Sequence, residues 1–158
     1  GGWDESGDRG SGRPGDTPYH SLIVTGPLMS GDKRGLLRKA AALPGVSLLE
    51  FTPDLISYLA AADLVVSMAG YNTVCELLSL GKRALLIPRV QVRVEQRLRA
   101  EALAARGLAH LLLPDDLSPQ RLSQAIDLAL SAAPPVVDLP LDGLRQASQA
   151  IQALLSNC

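Results

Sequence analysis

Five short apolar runs alternating with stretches of helical periodicity constrain this chain more than any other feature, because strands that alternate with helices build a parallel sheet. The runs lie at residues 21–25, 46–50, 64–67, 83–87 and 108–113, and the helical patterns at 32–43, 54–62, 72–80, 94–106 and 119–131. Pro44-Gly45, Gly81 and Gly107 stand where helices should stop. After the Pro134-Pro135 break a last amphipathic helix is expected over 141–155, with Leu144, Ala147, Ile151 and Leu155 on one face, packed on the sheet or reaching a neighbouring domain. The expected architecture is an α/β domain over 19–158 with a Rossmann-like, doubly wound parallel sheet.

The 158 residues suffice for one such domain, and 47% hydrophobic with 20% charged residues is ordinary for a globular chain. A net charge of −1 leaves no electrostatic footprint for nucleic acid, and no apolar run approaches the length of a membrane span. Cys75 and Cys158 show neither metal-ligand spacing nor a disulfide framework, which favours a reducing compartment, and a cytoplasmic protein is expected. Residues 1–18, GGWDESGDRGSGRPGDTP, mix glycine, proline and charge without periodicity and read as a disordered tail or linker. With no initiator methionine and no signal peptide, the chain is expected to be a piece of something longer.

The segment 61–81, AADLVVSMAGYNTVCELLSLG, runs from an apolar strand through a glycine turn directly into a helix. Gly70 would let the backbone turn sharply where a side chain would block a ligand. The first N–H groups of that helix lack intrahelical partners and carry partial positive charge, which suits a phosphate. Glu76, about one turn in, could stand beside a ribose. The same residues also carry a purely structural reading: Thr73-Val74-Cys75-Glu76 has the spacing of a capping box, which needs no ligand.

In an open parallel sheet ligands bind beyond the carboxyl ends of the strands, which singles out the loops at 26–31, 68–73 and 88–96. The first, GPLMSG, is a poor phosphate loop, since Lys33 is displaced and Pro27 removes an N–H from the cradle. No dinucleotide fingerprint of three spaced glycines is present. Arg89, Arg93 and Arg97 could neutralise phosphate or form a solvated face with Glu95 and Glu101. His110 reads as a hydrogen-bonded core or edge histidine, His20 as a residue near a domain junction, and Cys75 as a small buried hydrophobe. Asp115-Asp116 reads as the start of a helix, since two adjacent carboxylates are too few for a cation cage.

The stretch ADLVVSMAGYNTVCELLSLGKRALLIPRVQVRVEQ resembles the donor-binding half of GT-B glycosyltransferases of the family 28 type. Asp63, Gly70, Thr73, Glu76, Pro88 and the Glu95-Gln96 pair match that pattern in order, and the likeness covers about 100 residues from Ser21 to Ile126. The resemblance implies that Gly26, Gly70, Tyr71, Asn72 and Thr73 surround the donor diphosphate. It implies that Glu76 binds the ribose, Glu95 and Gln96 the donor sugar, and Phe51 and Thr52 the nucleobase. A carboxylate suits the ribose because its two oxygens can accept from both hydroxyls. Two positions depart from the pattern: Pro27 stands where a hydroxyl often meets phosphate, and Glu95-Gln96 replaces two amides.

The function expected from the resemblance is transfer of a hexosyl group from a nucleoside-diphosphate sugar, with uridine the leading base, to an acceptor hydroxyl. The sugar nucleotide is a substrate; no metal or other cofactor is expected. The acceptor site and catalytic base would lie in an N-terminal domain that this chain lacks, leaving catalytic residues unassigned and the piece inactive alone. Peripheral membrane association of the full-length enzyme stays open. Two rivals remain at this stage: a nucleotide-sugar 2-epimerase of the same fold, and a non-catalytic binding or interaction module.

Overall fold

The computed structural model describes residues 19–26, 29–89, 94–139 and 143–156. The expected tail at 1–18, together with Pro27, Arg93 and Cys158, lies outside the described residues. The chain divides into two compact units, Gly1–Asp54 and Leu55–Cys158.

The first unit holds β1 (Ser21–Val24), α1 (Gly31–Ala40) and β2 (Val46–Leu49). The two strands pair in parallel, from Ser21 opposite Val46 to Val24 opposite Leu49. Helix α1 is the crossover that a parallel pair requires.

The second unit contains α2 (Leu55–Ala61), β3 (Val65–Ser67), α3 (Tyr71–Ser79), β4 (Ala84–Leu86), α4 (Val94–Ala105), β5 (His110–Leu111), α5 (Pro119–Ser131) and α6 (Gly143–Ser156). Its sheet is parallel in the order β3-β4-β5. The central strand is the buried one: Ala84, Leu85 and Leu86 are at most 3% exposed, as an uninterrupted apolar run between two neighbours should be. Leu59, Val74, Leu77, Ala100, Leu103 and Leu108 complete the core around it. Truncating Leu86 to alanine there would cost about 2–5 kcal/mol.

Local chemistry fixes where the helices stop. At the end of α3 the Lys82 N–H reaches Leu77 C=O (3.0 Å) and the Gly81 N–H reaches Leu78 C=O (3.1 Å), the paired bonds of a Schellman motif. Gly81 has φ +59°, which accounts for glycine at that position. The two residues that lead into β4 secure other helix ends. Lys82 Nζ donates to Ala62 C=O (3.0 Å), just past α2, and Arg83 Nε to Ala132 C=O (2.7 Å), the C-cap of α5. Cations at helix C-termini are favoured by the macrodipole.

Helix α5 starts where expected, at Pro119, after Ser118, whose hydroxyl accepts the Arg121 N–H at 3.2 Å; Asp115 and Asp116 lie in a separate 3₁₀ turn, Pro114–Asp116, rather than at its entry. The final helix forms, but every residue of α6 is exposed, Leu144, Ile151 and Leu155 included, so it does not pack on the sheet.

Candidate functional site

The turn between β3 and α3 follows from its backbone bonds. Gly70 N–H is engaged by Met68 C=O (2.8 Å), and the first bond into the helix runs from Val74 N–H to Gly70 C=O (3.0 Å). Tyr71, Asn72 and Thr73 therefore have no helical carbonyl four residues back, and their N–H groups form the positive end of α3 just beyond the carboxyl end of β3. Val74 and Leu77 bury one face of the helix, while Tyr71 is 68% exposed and Asn72 is exposed beside it.

The expected capping box is not formed. Helix α3 starts at Tyr71 with Gly70 as an N-cap that offers no side-chain bond, so Thr73 is already helical and Glu76 lies too far along to serve a cap. The physical reason is that the helix is capped at Gly70, three residues before the N-cap that the threonine-to-glutamate spacing suggested. Among the described residues, no hydrogen bond or ion pair reaches the half-buried Glu76 carboxylate. The expected role of Gly70 in a sharp turn is also overturned, because its φ of −65° and ψ of 145° suit any residue, and a Cβ built there meets no atom within 4 Å. What glycine leaves at this point is open space in front of the N–H groups.

Helix α4 meets this turn from the side. Glu95 and Gln96 lie in its first turn, as expected, and Gln96 Oε1 accepts the Arg89 N–H at 3.1 Å, fixing the start of the helix to the segment that follows β4. Pro88, in that segment, is fully buried. Three residues beyond Gln96, Arg99 Nη1 donates to Ala69 C=O at 2.6 Å, and its guanidinium stands 5.6 Å from the centre of the Tyr71 ring. The structure thus brings the start of α4 together with residues 69–73. Arg99 escaped the sequence reading, because its partners are about 30 positions away and no spacing rule links them.

In the first unit, Gly26 and Phe51 each lie two residues past the ends of β1 and β2. Thr25 N–H donates to Leu49 C=O (3.1 Å), and the Thr25 hydroxyl to Glu50 C=O (3.3 Å). Gly26 has φ +76°, a conformation that disfavours any side chain. Phe51 is 60% exposed, a ring open to stacking. The Thr52 hydroxyl accepts the Asp54 N–H (3.1 Å), so it shapes the turn after Phe51. Arg34 and Arg38 of α1 both pair with Glu50. The Arg38 hydrogen bond and charge, with Arg34 nearby, hold the Glu50 carboxyl below its ordinary value of 4.5. Gly26, Phe51 and Thr52 belong to this unit, and Gly70, Tyr71, Asn72, Thr73, Glu76, Glu95 and Gln96 to the other.

The remaining candidates have ordinary surroundings. Arg97 pairs with Glu101 one turn along the exposed face of α4 (2.7 Å), which favours the solvated-face reading for that arginine. His20 Nε2 is 3.0 Å from Ser47 Oγ on β2. His110 is half-buried on β5, and no hydrogen bond to its ring is formed among the described residues, contrary to expectation. Cys75 is half-buried rather than buried. Among the described residues, no three His, Cys, Asp or Glu side chains gather as metal ligands would, and no helix is long and apolar enough to cross a membrane.

Residues 18–135 match the glycosyltransferase family 28 C-terminal domain. The UDP-N-acetylglucosamine--N-acetylmuramyl-(pentapeptide) pyrophosphoryl-undecaprenol N-acetylglucosamine transferase of Bacillus licheniformis is 34% identical over 110 residues, covering 69% of this chain and 30% of that protein. The enzyme of the same name from Nitrosococcus oceani is 43% identical over 81 residues, covering 51% and 23%. Among solved structures, a calicheamicin glycosyltransferase aligns with a TM-score of 0.61 at 25% identity, covering 75% of this chain and 28% of the other. MurG of Acinetobacter baumannii aligns with a TM-score of 0.60 at 24% identity, covering 73% and 33%, a likeness of fold. The chain spans about a third or less of the length of the relatives it matches.

Proposed function

The chain belongs to the glycosyltransferase family 28 C-terminal domains, and from that premise we propose that it is the donor-binding part of a hexosyltransferase that uses a nucleoside-diphosphate sugar. The observation that carries the reading is the positive end of α3: N–H groups at Tyr71, Asn72 and Thr73 beyond a parallel strand, with open space at Gly70 and, one turn further, the Glu76 carboxylate, all without a partner among the described residues. The diphosphate lies against those N–H groups. Glu76 accepts from the ribose hydroxyls. Glu95 and Gln96 take the sugar. Uridine is the base we expect, and the names of the relatives make UDP-N-acetylglucosamine the first donor to try.

In the reaction the bond from the anomeric carbon to the diphosphate oxygen breaks, and a bond from that carbon to the acceptor oxygen forms. The acceptor proton passes to a base supplied by an N-terminal partner domain. The part played by this chain is electrostatic: the α3 N–H groups stabilise the charge that grows on the departing diphosphate. The scheme needs neither metal nor cofactor. We place the enzyme in the cytoplasm. The relatives are named as transferases, which favours transfer over 2-epimerisation or a purely structural module.

A titration of the chain with uridine, guanosine and thymidine diphosphate sugars, followed by amide resonances, tests the proposal. Shifts at Tyr71, Asn72 and Thr73 with one base preferred are expected. If every donor at millimolar concentration leaves them unmoved, the proposal fails.

A further inference from the structure

Helix ends in the Leu55–Cys158 unit obey the dipole rule at two cations and break it at a third. Lys82 and Arg83 sit against helix C-termini, where a cation is stabilised. The Arg99 guanidinium instead lies at the N-terminal end of α3, beside Ala69 C=O (2.6 Å) and the Tyr71 ring (5.6 Å). The N–H groups there repel a cation, so the placement carries an electrostatic cost that an arriving anion relieves. Ala69 is completely buried, and Arg99 is half-buried between it and Tyr71. A planar guanidinium can donate to the carbonyl and lie against the ring at once, which a lysine ammonium cannot reproduce.

We infer that Arg99 is a positioning residue for the donor diphosphate. By holding Ala69 C=O and Tyr71 it fixes the backbone from which the Tyr71, Asn72 and Thr73 N–H groups project, and its charge raises the attraction of that helix end for an anion. Gln96 lies three residues earlier on α4, on the same face of the helix, so one rigid element carries both the sugar-side amide and the group that orders the phosphate turn. The inference rests on the nucleotide-sugar reading above.

The test compares UDP with uridine, which lacks the diphosphate, on the whole chain unaltered and as Arg99→Met and Arg99→Lys, with melting curves for each. Arg99→Met is expected to weaken UDP binding about tenfold and leave uridine binding unchanged, with Arg99→Lys in between because it keeps the charge and loses the fork. The salt dependence of UDP binding should also become shallower in Arg99→Met. Equal losses for UDP and uridine would mark a general structural role and overturn the inference. Unchanged UDP binding in the variants would overturn it while leaving the nucleotide reading standing. Failure of the unaltered chain to bind UDP would remove both. Should Arg99→Met not fold, the Arg99→Lys comparison of the same two ligands decides alone.

Discussion

Gln96 holds the backbone of Arg89: its Oε1 accepts the Arg89 N–H at 3.1 Å, which leaves the amide NH₂ as the end available to a ligand. Gln96→Glu keeps the acceptor and replaces that donor with negative charge. The melting temperature should hold, while the affinity for the preferred sugar nucleotide relative to its parent diphosphate falls about tenfold by calorimetry. Gln96→Leu, which also loses the Arg89 bond, should in addition cost about 1 kcal/mol of stability.

Glu76 has no partner to lose among the described residues, so Glu76→Gln should leave thermal unfolding unchanged and weaken the nucleotide about tenfold through the ribose contact. The specific readout is discrimination between UDP and its 2′-deoxy analogue. The unaltered chain should prefer the ribose form, and the variant should lose most of that preference. Equal preference in both proteins would take Glu76 off the site.

Gly70 separates stability from binding. Its backbone accepts any residue, and an aspartate at an N-cap satisfies the helix N–H groups and complements the dipole. Gly70→Asp should therefore raise the melting temperature, by a few tenths of a kcal/mol in stability, while its carboxylate occupies the phosphate position and abolishes nucleotide binding. A variant that is stabilised and still binds would show that the diphosphate lies elsewhere.

The Glu50 pairs with Arg38 and Arg34 predict an acid limb. Because the folded-state carboxyl titrates below its ordinary 4.5, the stabilisation is complete above that value and is lost as pH falls through the lowered one. Glu50→Gln should melt at a lower temperature than the unaltered chain near neutrality, and the gap should close in acid. Added salt should narrow the gap as well, since the pairs are partly exposed.

The order of elements was legible because it rests on local patterns. The buried run Ala84–Leu86 and the Ser118-Pro119 start of α5 are both readable one stretch at a time. The helix at α3 was legible to within a residue, but the capping-box reading failed because the threonine-to-glutamate spacing competes with a turn already closed by the Gly70 to Met68 bond, which no pattern of side chains records. The exposure of α6 was equally hidden: an amphipathic stripe says that a face wants cover, not what covers it. Arg99 depends on a contact across about 30 positions, and Glu50 finds its partners on α1 only through the fold.

Lys82 and Arg83 are neighbours in the chain, yet each fastens a different helix, one at the end of α2 and the other at the end of α5. The two residues that lead into the central strand thus act as a shared rivet. A slip of β4 would release both helices at once, so this half of the protein should come apart as a single cooperative block rather than by fraying one helix at a time.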